Sequence, residues 1–201
     1  MIPKIEFRYS SIYDEKYKNN ERIIESLKKE NRQFPSEKEI SDYIKKIEII
    51  WKKEGSKVLK EISNEYGLKW TENKVICYIV GIGKPFSDPL TIMMYDDVKR
   101  FIYILSHELI HQITIQNKGN YNLKKWSEYI EKRYSKEKII TLRHILLHAV
   151  HYKIYLVLNK KEIFDKNINL DIERLDYKRS WQIVQEEGYK NIIKKFREVT
   201  K

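Results

Sequence analysis

Two histidines four residues apart, His107 and His111, enclose Glu108 in the segment Ser106-His107-Glu108-Leu109-Ile110-His111-Gln112. On a helix, side chains four apart share one face, with Cβ atoms about 5–6 Å from each other. Two imidazoles so placed can reach one zinc ion. A carboxylate next to the first of them can take a proton from the water such an ion activates and hand it to a leaving amine. The pattern works only on a helix, and VKRFIYILSHELIHQI has helix length with Val98, Phe101, Leu105 and Leu109 recurring at three and four. The ordinary alternative is a pair of hydrogen-bonded histidines on an amphipathic helix.

The remaining histidines weigh against that alternative. The chain has 5 in all, and the other three, His144, His148 and His151, fall at spacings four and three on the apolar stretch TLRHILLHAVHYKIY. Every histidine therefore belongs to one of two single-face clusters, whereas histidines used as ordinary polar residues would be scattered. The expectation is one zinc ion per chain, with His107 and His111 as ligands and Glu108 as the catalytic base.

His107-Glu108-Leu109-Ile110-His111, on a helix preceded by two short strands, resembles the zincin metallopeptidases over roughly Val75 to Leu158. The resemblance implies a zinc-dependent hydrolase cleaving peptide bonds, an edge strand that holds the substrate extended, and a third ligand from a later helix. The metzincin extension is absent, because QITIQNKGN follows His111. His148 is the expected third ligand: it is the central histidine of its face, and Ala149 beside it leaves room for close helix approach. Its position is similar to that of a glutamate followed by alanine in some glutamate-type zincins. Glu131 is the rival, at a spacing that resembles thermolysin-like enzymes, although Ser135 stands where those enzymes have an aspartate. His144, His151, Tyr152 and Tyr155 are candidates for orienting the site or stabilising the oxyanion of a tetrahedral intermediate.

The elements that must position these residues read as an α+β fold, mostly helical, with a small sheet packed on the motif helix. Residues 1–70 form a helical region, 71–160 the catalytic core and 161–201 C-terminal helices, all within one compact unit. Ser36 and Glu39 make a capping box for a helix carrying Ile40, Ile44, Ile47 and Trp51; Gly55 is a point where that helix can break, and Gly67 closes it. Val75–Val80 and Leu90–Tyr95 read as strands, the second at the sheet edge because Pro89 precedes it. Asp96 or Asp97 caps the motif helix. The apolar helix follows from about Glu137 to Leu158, then a polar stretch DKNINLD, and two helices that meet near Gly188.

Composition bounds the partners. No apolar run approaches the roughly 20 residues of a membrane span, and MIPKIEFRYSS lacks a signal peptide's apolar core. The lone Cys77 excludes a disulfide framework, so the expected compartment is the cytoplasm. The net charge of +11, from 40 Lys+Arg against 29 Asp+Glu, is spread along the chain. Two readings stay open: an intracellular metallopeptidase with a peptide or protein substrate, and a basic, nucleic-acid-associated protein with a structural or inactive zinc site.

Overall fold

In the computed structural model, which describes residues 1–173 and 175–200, the chain opens with a strand. Lys4–Tyr9 (β1) buries Ile5 and Phe7 while Lys4, Glu6 and Arg8 stay more exposed, the two-residue period of a strand with one face on a core. It pairs in parallel with Lys74–Val80 (β2), placing Phe7 opposite Cys77. Leu90–Met93 (β4) runs parallel to β2 on its other side, and Phe86–Ser87 (β3) is antiparallel to β4, giving the order β1-β2-β4-β3. Asp88 and Pro89, joined by a cis peptide bond, make the turn between β3 and β4. The expected edge position of Leu90–Tyr95 is thus corrected: β3 lies outside it. Pro89 sits in the hairpin turn, so its missing N–H says nothing about which strand is outermost.

The sheet belongs to one of two compact units, Met1–Leu59 with Glu72–Gln112. Ser11–Lys18 (α1) and Glu21–Lys29 (α2) lead into the long helix Glu37–Tyr66 (α3). The capping box is formed: Ser36 N–H donates to the Glu39 carboxylate at 2.8 Å, and Glu39 N–H donates to Ser36 Oγ at 3.3 Å. α3 continues through Gly55 without a break. A Cβ at that position would lie 2.3 Å from Trp51 Cε2, so the bare backbone is what lets the Trp51 indole lie along its own helix. Gly67, at φ +63°, follows its last turn.

Phe7 meets Trp51 of α3 and Phe101 of Val98–Gln116 (α4) edge to face, with centroids 6.4 and 6.1 Å apart. One face of the sheet therefore packs on the motif helix and on α3. On the other face Tyr13 of α1 meets Tyr78 of β2 at 5.5 Å. The fully buried Asp14 carboxylate accepts from Gly81 N–H at 2.7 Å and from the Tyr9 hydroxyl at 3.0 Å, tying α1 to the ends of β1 and β2.

The other unit, Lys60–Thr71 with Ile113–Lys201, is helical. It holds Tyr121–Arg133 (α5), Ile139–Val157 (α6), Lys161–Asp171 (α7), Leu175–Glu187 (α8) and Tyr189–Val199 (α9). α6 is apolar nearly all round and packs against α5, α7, α8 and α9, as a buried helix must. DKNINLD, expected as a polar connector, lies inside α7: Phe164, Asn167 and Ile168 face inward at helical spacing, and the Asn167 amide donates to the Ile163 carbonyl at 2.7 Å. Gly188, at φ +83°, joins α8 to α9. The architecture is α+β and mostly helical, and among the described residues no helix is long and apolar enough to cross a membrane.

Candidate metal centre

Asp97 precedes α4, and its carboxylate accepts from Lys99 N–H at 2.9 Å, a donor the first helical turn leaves without a helical partner. Ten consecutive residues, 101–110, are then buried. His107 and Glu108 lie within this stretch and His111 is half-buried, with the two imidazole centroids 5.2 Å apart. Glu108 Oε2 accepts a hydrogen bond from Ser87 Oγ at 2.6 Å. One turn on, the Gln112 side-chain amide donates to the Ser87 carbonyl. The two-residue strand β3 is therefore fastened to the motif helix at the Glu108 carboxylate and at Gln112. Thr91 Oγ1, donating to the Pro89 carbonyl at 2.9 Å, steadies the same hairpin. Burial, followed by the negative charge of Glu108, pushes the Cys77 thiol on β2 well above its ordinary range, so Cys77 is an inert core residue.

The histidine that joins His107 and His111 is His144 on α6. One ring nitrogen from each of His107, His111 and His144 lies within 4.8 Å of the other two, and His144 is buried. His144 Nδ1 contacts the Ile140 carbonyl at 2.7 Å. A carbonyl only accepts, so Nδ1 carries the proton and Nε2 is the ring's lone-pair nitrogen. This is the arrangement in which a ligand imidazole is oriented by a backbone acceptor on its far nitrogen.

His148, the ligand expected from sequence, is not in that group. It lies about 6 Å further along the helix axis, and its Nδ1 faces Ser180 Oγ of α8 at 3.1 Å. Ser180 gives its one proton to the Tyr177 carbonyl at 2.9 Å, so its oxygen accepts from His148 Nδ1. The spacing of His144, His148 and His151 puts all three on one face but does not say which of them joins the group. Glu131 is exposed on α5 and outside the cluster, in keeping with the charged face on which it lies. His151 packs edge-on against Tyr155 and Phe164, at 5.2 and 5.3 Å. Tyr152 meets Phe164, Trp181 and Tyr189, and Tyr155 also borders Phe164. These three residues build an aromatic core around α7 and α8.

The donor set fits a zinc-type ion: three imidazoles, one already oriented through its other nitrogen, and no fourth His, Cys, Asp or Glu in the group among the described residues. Sequence reasoning did not single out Ser87, Tyr177 or Ser180. The Ser87 contact with Glu108 spans 21 positions and the Ser180 contact with His148 spans 32, distances at which local pattern carries no signal. No family model, no curated protein and no solved structure matches the chain.

Proposed function

We propose that this chain is a zinc-dependent hydrolase acting on peptide bonds, with His107, His111 and His144 as ligands and Glu108 as general base. The observation that carries the reading is the three-histidine group together with a buried carboxylate that follows the first ligand and is held by Ser87. A zinc ion supplies, when bound, a Lewis acid that polarises a carbonyl and acidifies water. The chain's own work is proton handling. Glu108 takes the water proton and returns it to the departing amine. The Ser87 hydroxyl donates to Glu108 Oε2 and so fixes the orientation of the carboxylate that is to receive the proton. The buried surroundings of residues 101–110 keep bulk water away from that exchange.

A peptide substrate is favoured by the sheet. One of its two outer strands is β3, and Ser87 of that strand touches Glu108. An extended chain added along β3 would bring its backbone past the base. A purely structural zinc site has no use for a buried carboxylate beside its first ligand, and burying one is costly. The basic, nucleic-acid-associated reading has one observation of its own. Lys153, Lys190, Lys194 and Arg197 surround a groove of about 430 Å³ in the helical unit, with Glu65 and Glu198 as the opposing charges.

The test is metal content joined to turnover of an unstructured peptide library. Wild type should hold about one zinc per chain, and Glu108→Gln should keep the zinc while losing turnover, since an amide cannot accept the proton. Equal turnover by the two proteins would remove Glu108 from the mechanism. Absence of any transition metal after metal-replete purification would end the zinc reading.

A further inference from the structure

A histidine side chain has one torsion with sharp preferences and a second, χ2, that is broad. A hydrogen bond to the Ile140 carbonyl fixes one edge of the His144 ring but does little against rocking about that bond. The face of the ring is covered from α8. Tyr177 lies against His144 with centroids 4.4 Å apart and planes tilted by 35°. Tyr177 meets the neighbouring His148 edge-on instead, at 5.8 Å and 86°.

Tyr177 is itself held on both sides. Before it, the Asp176 carbonyl accepts from Thr141 Oγ1 at 3.3 Å and the Asp176 carboxylate pairs with Lys138 at 3.1 Å. After it, Arg179 pairs with Glu137 at 2.7 Å, and Ser180 links the Tyr177 carbonyl to His148. All of these partners lie on α6 or its N-terminal lead-in, the segment that carries His144. From this we infer that Tyr177 is a positioning residue for the third ligand: its ring holds the His144 imidazole in the plane that presents Nε2 to the histidine group. The inference rests on the metal reading above. It assigns the effect to the aromatic face and not to the phenol hydroxyl.

Cobalt(II) alone is a suitable probe, because its visible absorption reports the geometry of a histidine site and its uptake can be titrated without any turnover. Tyr177→Leu should weaken cobalt binding by roughly 10–100-fold, the usual scale for loss of a group that orients a ligand, and should change the absorption band. Tyr177→Phe should restore both towards wild type. If the leucine variant does not fold by circular dichroism, Tyr177→Met replaces it, keeping apolar bulk without a ring. Unchanged affinity and spectrum in the leucine or methionine variant would overturn the inference, as would a phenylalanine variant as weak as leucine. A wild-type protein that takes up no cobalt would overturn the metal reading, and this inference with it.

Discussion

His144 and His148 stand one turn apart on the buried face of α6, and their polar partners differ in kind. The Nδ1 of His144 is satisfied by a carbonyl of its own helix, while the Nδ1 of His148 is spent on Ser180 of another helix. Removing each should separate binding from stability. His144→Ala should cut zinc affinity by orders of magnitude, measured by competition with a chromophoric chelator. His148→Ala should keep zinc but lose about 2–3 kcal/mol in a denaturant melt, from the cavity and the stranded serine. The opposite pattern would reinstate His148 as the ligand. Ser87→Ala tests the other arm of the site. Losing a hydrogen bond to a carboxylate costs about 1.5 kcal/mol, roughly tenfold in kcat if the bond positions the base, with metal content unchanged. The motif residues were legible because four-residue spacing is a property of one helix. The third ligand was expected at His148, one turn from the His144 that the group contains, because spacing along α6 defines a shared face but not which of its turns joins the group.

Gly55 shows how an element can be right in kind and wrong in extent. A glycine in mid-helix costs about 1 kcal/mol against alanine, which made it a plausible break. The structure gives it a packing reason, since any Cβ would enter the Trp51 indole. Gly55→Ala should therefore reverse the usual gain and destabilise by about 1–2 kcal/mol, as overpacking of a core does; a urea melt showing stabilisation would refute the packing account. β1 was missed although Ile5, Phe7 and Tyr9 alternate, because a six-residue strand ahead of three helices has its partner, β2, some seventy positions away. The Asp14 contact that locks this strand also sets a pH dependence. Burial, and then donation of its hydroxyl to the Asp14 carboxylate, push Tyr9 from 10.0 up to about 12. The folded state thus favours the neutral phenol. That contribution is complete below about pH 10 and is lost as pH rises from there towards 12. Tyr9→Phe should flatten part of the alkaline fall in urea midpoint, while the buried phenols of Tyr43 and Tyr66, also raised by desolvation, continue to act in the same direction.

At the scale of the whole chain, the +11 charge and the zinc reading call for different measurements. Much of the basic surface is locally paired, as in Lys38 with Asp42, Lys161 with Asp165 and Lys195 with Glu198. Such exposed pairs contribute only a few tenths of a kcal/mol each. Nucleic-acid affinity, if the groove around Lys153, Lys190, Lys194 and Arg197 binds phosphates, should fall steeply with salt and weaken when these residues are made neutral. Binding that is already gone near physiological salt would leave the charge as a solvated surface. Metal should instead register as stability. A ligand bound only by the folded chain stabilises it by about 4 kcal/mol at a thousandfold excess over its dissociation constant. A chain of this size gains roughly 2–4 °C in Tm per kcal/mol, so added zinc should raise Tm by about 8–16 °C and a chelator should remove the gain. Glu108→Gln should show the same rise, because Glu108 is outside the ligand group, whereas His144→Ala should show little of it. An equal rise in the His144 variant would mean that the ion stabilises the chain from some other place and that the three-histidine group is not its site.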